Sequence, residues 1–152
     1  MKFTYNEDII TIYIIQKNNL DLKDRKGLET YLKRLIVLLK KKKYSIKSGL
    51  YIARIYQNNH YGLIVELENI EELELFKDMI DLKILIYDNS LMYLEVNDYF
   101  LISEKKKKYY NNNFYINMAV LTELERINLS EFSKIIYGDD ALSINAYGKL
   151  FV

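Results

Sequence analysis

The chain has 152 residues, half of them hydrophobic, and a formal net charge of +1. This length fits one domain, and the hydrophobic content excludes a disordered chain. The sequence contains no Cys and one His, which excludes disulfides, a cysteine nucleophile and the common zinc ligand sets.

The first predicted elements are a strand and a long helix. β-branched residues dominate positions 8–15, which is typical of a strand. Further on, leucines recur with the spacing of one helical face, and we predict a helix that begins near Asp21 and ends in the lysines at 40–43. The leucines expected to be buried are Leu28, Leu32, Leu35 and Leu39.

A β-hairpin is predicted next. Residues 49–56 and 60–67 have the composition of strands, and the turn-forming residues 57–59 lie between them. Asn69 stands three positions before Glu72, a capping-box pattern that predicts a short helix from about 69 to 80. A strand over 83–87 follows.

Residues 8–88 therefore have the order strand–helix–strand–strand–helix–strand. This order predicts a ferredoxin-like α+β core, in which both helices lie on one face of a four-stranded antiparallel sheet. Residues 1–65 carry 13 Lys and Arg against 5 Asp and Glu, whereas residues 66–100 carry 2 against 10. We expect the basic first helix to lie beside the acidic second helix, so that their charges offset each other.

Residues 89–152 are predicted to form a ββα(β) extension of this core, so that residues 1–152 make a single α+β domain. Strands are expected at 91–96 and 114–120, with a turn at 104–108 between them.

The C-terminal part begins with a second helix-start pattern, Thr122 and Glu125. We expect one or two helical segments between Thr122 and Tyr137, with Gly138 ending the last of them. A short strand over 147–152 completes the chain.

Catalytic signals are weak. His60 lies at the predicted hairpin turn without an acid or nucleophile beside it, so we interpret it as a surface residue and not a general base. Tyr137-Gly138-Asp139-Asp140 has the letters of the metal-binding tetrapeptide of viral RNA polymerases, but it follows a predicted helix, where glycine is a stop and paired aspartates form a loop. We therefore predict no enzyme activity, no metal and no cofactor.

A nucleic-acid-binding alternative comes from two tyrosines. The predicted element order resembles that of the RNA-recognition motif, which stacks bases on aromatic residues of its sheet. Tyr13 and Tyr61 match two stacking positions of that family, and Gly62 also fits. Leu63 and Glu66 stand where the family has aromatic residues. The resemblance implies a single-stranded RNA-binding module as the alternative function.

A run of lysines beside two tyrosines is the second candidate site, comprising Lys105, Lys106, Lys107, Lys108, Tyr109 and Tyr110. Four adjacent cations repel one another, so we expect them on an exposed turn between two strands. Lys, Asn, Ile and Tyr together make up 67 of the 152 residues, as expected of an AT-rich genome. We therefore favour a solvated turn, with contact to an anionic partner as the alternative.

The function predicted from the sequence is a small cytoplasmic binding or regulatory domain that acts through protein–protein contacts. Residues 1–8 lack the apolar core of a signal peptide. The longest apolar runs, such as 35–39, are far shorter than a membrane span. We expect a protein partner, with nucleic acid as the alternative, and no membrane.

Overall fold

The computed structural model describes residues 2–6, 8–15, 21–41, 46–58, 61–72, 80–96 and 107–151. Within these ranges lie two five-stranded sheets and three α-helices. The α+β class is therefore confirmed.

The first sheet has the strand order β1-β2-β4-β3-β5. Its strands are β1 (Lys2–Asn6), β2 (Ile9–Ile14), β3 (Gly49–Asn58), β4 (Gly62–Glu72) and β5 (Ile80–Asp88), and helix α1 (Arg25–Lys41) follows β2. β4 pairs antiparallel with both β2 and β3, so β2 and β3 run parallel with β4 between them. Helix α1 is thus the crossover of a split β–α–β unit.

Helix α1 covers one face of this sheet. Its predicted leucine stripe is buried, which confirms the prediction, and it packs against sheet residues such as Ile12 and Ile55. The helix begins at Arg25 because Asp24 caps it, accepting a hydrogen bond at 3.1 Å from the backbone N–H of Gly27. A Cβ at Gly27 would lie 2.4 Å from an Asp24 carboxylate oxygen, so glycine leaves room for the cap.

The second sheet has the order β10-β7-β8-β6-β9, and its pairings are antiparallel. Its strands are β6 (Tyr93–Val96), β7 (Lys107–Tyr110), β8 (Asn113–Asn117), β9 (Lys134–Ile136) and β10 (Lys149–Phe151). Helix α2 (Glu123–Ser130) precedes β9, and helix α3 (Gly138–Tyr147) lies between β9 and β10 in the sequence.

The second sheet packs against the face of the first sheet that α1 leaves open. Ile64 of β4 is fully buried in a cluster with residues of the second sheet, among them Leu94 and Ile116. The Lys2 ammonium of β1 also donates to the backbone oxygens of Ser130 and Ser133, at 3.3 and 3.2 Å. The two sheets therefore share a hydrophobic core and polar contacts.

The predicted ferredoxin-like topology is wrong. Residues 69–72 do not begin a helix but continue β4, because their backbone pairs with the start of β3 near Gly49. Pairing along the strand outweighs the local capping-box pattern at Asn69. The connection at 73–79 lies outside the described residues, and β5 then pairs parallel with β3, not antiparallel.

The opposite charges of the two sequence regions meet across strands. Arg54 of β3 forms an ion pair with Glu68 of β4 at 2.6 Å, and Lys47 pairs with Glu72 at 2.7 Å. Among the described residues, charge is therefore offset near the β3–β4 pair, whereas the sequence pattern predicted this between two helices.

The C-terminal part agrees with the sequence prediction at its first helix and differs at the second. Thr122 and Glu125 form the predicted capping box at the start of α2. Gly138 begins α3 instead of ending a helix, with a φ of +61° that favours glycine. Asp139 and Asp140 consequently lie in the first turn of α3, where carboxylates interact favourably with the helix dipole.

The predicted lysine turn is also misplaced. Lys107 and Lys108 belong to β7, and the tight turn comes later, at Asn111 and Asn112, whose φ angles are +46° and +66°. Asparagine tolerates this left-handed conformation better than other side chains do, which explains the turn position. Residues 104–106 lie outside the described part of the chain.

Candidate binding cleft

A cleft of about 850 Å³ lies between the first sheet and the segment that joins β9 to α3. We call it the tyrosine cleft, after Tyr13, Tyr56 and Tyr137 in its wall. Directly paired residues on neighbouring strands point to the same face of a sheet. Thr11 is paired with Glu66, and both Tyr13 and Tyr56 are paired with Ile64. Strand register therefore brings these side chains to the face that the second sheet contacts.

The three tyrosine rings form a corner. The Tyr13 and Tyr137 ring centroids lie 6.2 Å apart with an interplanar angle of 77°, and those of Tyr56 and Tyr137 lie 4.9 Å apart at 64°. Tyr137 reaches this position because it is the residue between β9 and α3. The cleft thus has aromatic walls in steeply inclined orientations.

Glu66 is the partly buried carboxylate of the tyrosine cleft, and its Oε2 accepts a hydrogen bond from the Tyr137 hydroxyl. Arg54, the β3 residue opposite Glu66, bonds to Glu68 instead. No ammonium or guanidinium group forms an ion pair with Glu66 among the described residues. The carboxylate is therefore held by neutral hydrogen-bond donors.

Burial and Glu66 raise the pKa values of two cleft tyrosines. Burial raises the pKa of Tyr137 most, followed by its hydrogen bond to Glu66 and then by repulsion between the Glu66 charge and a tyrosinate. Burial and the same carboxylate raise the pKa of Tyr56 to about 12. Burial also raises the pKa of Tyr13. All three hydroxyl groups are therefore neutral near pH 7.

Charged and aromatic side chains stand at the rim of the cleft. Phe132 is 87% exposed, and Lys134, Asp139 and Asp140 are exposed as well. The Lys2 ammonium lies 5.9 Å from the centroid of the Tyr13 ring. An aromatic interior with a charged rim is the usual anatomy of a protein interface.

A smaller cavity of about 300 Å³ lies on the other side of Tyr56. Tyr56 stacks there on Tyr87, with ring centroids 5.1 Å apart. Asn89 also lines this cavity, and its Oδ1 accepts a hydrogen bond from the Gly138 backbone N–H at 3.3 Å. Asn89 therefore ties the start of α3, and with it Tyr137, to the end of β5.

The two tyrosines proposed for base stacking have different surroundings. Tyr13 lines the tyrosine cleft, whereas Tyr61 is not among its lining residues. Both pack against the core cluster between the sheets. The Arg126 guanidinium lies 5.0 Å from the centroid of the Tyr61 ring. His60 lies outside the described residues.

The lysine run does not border the tyrosine cleft over its described part, and Lys105 and Lys106 lie outside that part. Lys107 is 2% exposed, so the expected exposure is wrong there. The Lys108 ammonium donates to the Asn145 backbone oxygen at 2.8 Å.

Of the two tyrosines that follow the lysines, one ring is exposed and the other is packed against the protein. Tyr109 is exposed, and its hydroxyl bonds to Asn112 at 3.0 Å. Tyr110 packs against the cluster beneath α3. The predicted pair of stacking faces is thus reduced to one exposed ring.

Sequence reasoning missed the association of Glu66 with Tyr56 and Tyr137. Glu66 and Tyr137 are 71 positions apart, and no local pattern connects them. Glu66 and Tyr56 share a sheet face through the β3–β4 register, and the partner of that face became known only from the fold.

Comparisons with known protein families, with curated proteins and with solved structures gave no match. In the part of the chain that the structure describes, no three His, Cys, Asp or Glu side chains are grouped as metal ligands would be. None of the helices described is both long enough and apolar enough to cross a membrane.

Proposed function

We propose that this protein is a small, cytoplasmic, non-enzymatic binding domain that acts through protein contacts at the tyrosine cleft. The observation that carries the proposal is the combination of three inward tyrosines with Phe132, which is 87% exposed at the rim. Tyrosine and other aromatic side chains are enriched at protein interfaces, where they supply contact area at low entropic cost. A partner that covers Phe132 also closes the cleft.

The protonation state of the cleft suits recognition. Burial and Glu66 raise the pKa values of Tyr56 and Tyr137, so both hydroxyls keep their protons and can donate hydrogen bonds. Neutral hydroxyls beside a carboxylate supply directional hydrogen bonds. Such groups fix the orientation of a bound side chain.

The nucleic-acid alternative has less support. A base-stacking sheet needs an open face, but the face that carries Tyr13 packs against the second sheet. Lys107 is buried, and the Lys108 ammonium is bonded within the protein. Fewer of the expected cations are therefore available for phosphate contact.

The test is position-specific photocrosslinking in the organism that makes the protein. A photoreactive phenylalanine replaces Phe132 at the cleft rim or, as the control, Tyr147 at the end of α3. Both side chains are aromatic and highly exposed, at 87% and 74%, but only Phe132 lines the cleft.

We expect a discrete protein adduct from position 132 that position 147 does not give. Equal adducts from both positions, or none from position 132, would contradict the proposal. An adduct at position 132 that is sensitive to nuclease and not to protease would favour nucleic-acid binding instead.

A further inference from the structure

We infer that the tyrosine cleft receives a cationic side chain, the lysine or arginine of a protein partner. This inference rests on the proposed function and specifies the chemistry of the partner group. It is carried by a carboxylate that forms no ion pair with a cation of the described residues, by an aromatic corner, and by an ammonium that the protein itself places against that corner.

Glu66 provides the charge. Its carboxylate accepts from the Tyr137 hydroxyl at Oε2, and a carboxylate has room for about four hydrogen bonds. No described cation forms an ion pair with it: Arg54 on the facing strand attracts Glu66 electrostatically, but its guanidinium bonds to Glu68. An incoming ammonium or guanidinium can therefore form a charge-assisted hydrogen bond, which is stronger than a neutral one.

The tyrosine rings provide the second attraction. The negative face of an aromatic ring attracts a cation within about 6 Å of its centroid. The Lys2 ammonium already lies 5.9 Å from the Tyr13 centroid, although its hydrogen bonds go to the backbone oxygens of Ser130 and Ser133. The walls of this cleft thus accept an alkylammonium group of the protein's own chain.

The rim adds a favourable field. Asp139 and Asp140 are exposed at the cleft. Among the described residues, two cations, Lys2 and Lys134, line the cleft against the three carboxylates of Glu66, Asp139 and Asp140. Negative charge at a cleft attracts cationic partners and raises their association rate.

The experiment uses the full chain and three blocked tripeptides with lysine, arginine or norleucine between two glycines. Norleucine has the aliphatic stem of lysine without its charge. Nuclear magnetic resonance follows the tyrosine ring signals and the Gly138 amide during titration. We expect saturable shifts with the lysine or arginine peptide, weakened by added salt, and none with norleucine.

Two variants test whether Glu66 supplies the negative charge that binds the cationic peptide. Glu66→Gln should weaken binding of the cationic peptide roughly tenfold or more, since it removes a charge-assisted contact. Glu72→Gln is the matched control, because Glu72 pairs with Lys47 and does not line the cleft. It should leave the affinity unchanged.

Equal binding of all three peptides, absence of binding by both cationic peptides, or an unchanged affinity in Glu66→Gln would each overturn the inference. The comparison of lysine with norleucine in the unmodified chain stays decisive if Glu66→Gln fails to fold. A Phe132 crosslink to a protein without binding of a cationic peptide would refute this inference alone. Failure of the Phe132 crosslink would refute the proposed function.

Discussion

Tyr137 joins two distant parts of the chain through one hydroxyl group. It donates to Glu66 across 71 sequence positions, and its ring meets both Tyr13 and Tyr56. The same residue therefore connects the sheets and shapes the cleft. A hydrogen bond to a charged acceptor at a partly buried site contributes more than an exposed one.

Removal of this hydroxyl should destabilise the fold. Tyr137→Phe should lower the free energy of unfolding by about 1.5–3 kcal/mol, the range for hydrogen bonds to charged groups. Tyr109→Phe is the matched control, because its hydroxyl bonds to Asn112 at the surface, and it should change stability by less than about 0.5 kcal/mol. Urea denaturation measures both, and equal effects would contradict a special role for Tyr137.

Stability should also decline at alkaline pH. Burial and Glu66 raise the pKa of folded Tyr56 from 10.0 to about 12, so the folded state holds its proton more tightly than the unfolded state. This contribution is complete below about pH 10 and is lost as the pH rises through about 12. Ultraviolet titration should show tyrosines that ionise at higher pH in the folded protein than in the unfolded chain. In Tyr56→Phe the decline in stability should be smaller; an identical decline would contradict this assignment.

At the scale of elements, α1 is held by its buried face. Leu28, Leu32 and Leu39 are fully buried, and Leu→Ala at each should cost about 2–5 kcal/mol. Leu38 lies in the same helix but is 36% exposed, so Leu38→Ala should cost less than about 1 kcal/mol. Chemical denaturation of the four variants tests this, and losses of similar size at all positions would show that burial does not decide stability in α1.

Local sequence patterns predicted correctly the elements whose tertiary contacts favour the same conformation. The β3–β4 hairpin and α1 have matching composition, periodicity and burial, so both were confirmed. Asn69 failed as a helix start because the backbone after it pairs with β3, a contact that lies outside any local window. The prediction that Gly138 ends a helix was wrong because glycine at positive φ occurs both at the ends and at the starts of helices. The local sequence does not distinguish the two.

The cleft was predictable only in part. Tyr13 was identified as a stacking residue and does line the cleft, although opposite the second sheet and not on an open surface. Lys107 was expected to be exposed because four lysines repel one another. It lies in β7 of the second sheet and is buried instead. Tertiary contacts decide whether such residues are buried, and the local composition of the sequence does not reveal those contacts.

At the scale of the whole molecule, the two sheets should unfold together. The single domain over residues 1–152 remains a prediction, supported by the cluster that joins Ile64 to the second sheet and by the Lys2 contacts with Ser130 and Ser133. Leu28→Ala in the first core and Ile116→Ala in the second should shift one common transition, since small domains unfold cooperatively. Far- and near-ultraviolet circular dichroism should coincide during thermal unfolding, and two separate transitions would contradict the prediction.

The position of β4 between β2 and β3 has a consequence for synthesis. The β1–β2 hairpin and α1 leave the ribosome before β4 does, so the edge of β2 that pairs with residues 63–68 of β4 has no partner until those residues have emerged. The β3–β4 hairpin needs only a short turn and closes quickly, whereas its docking beside β2 closes a long loop and is slower. The sequence contains no proline, so no prolyl isomerisation delays this step. Nascent chains from which residues 63–68 have not yet emerged should therefore present an unpaired edge of β2, a form prone to aggregation.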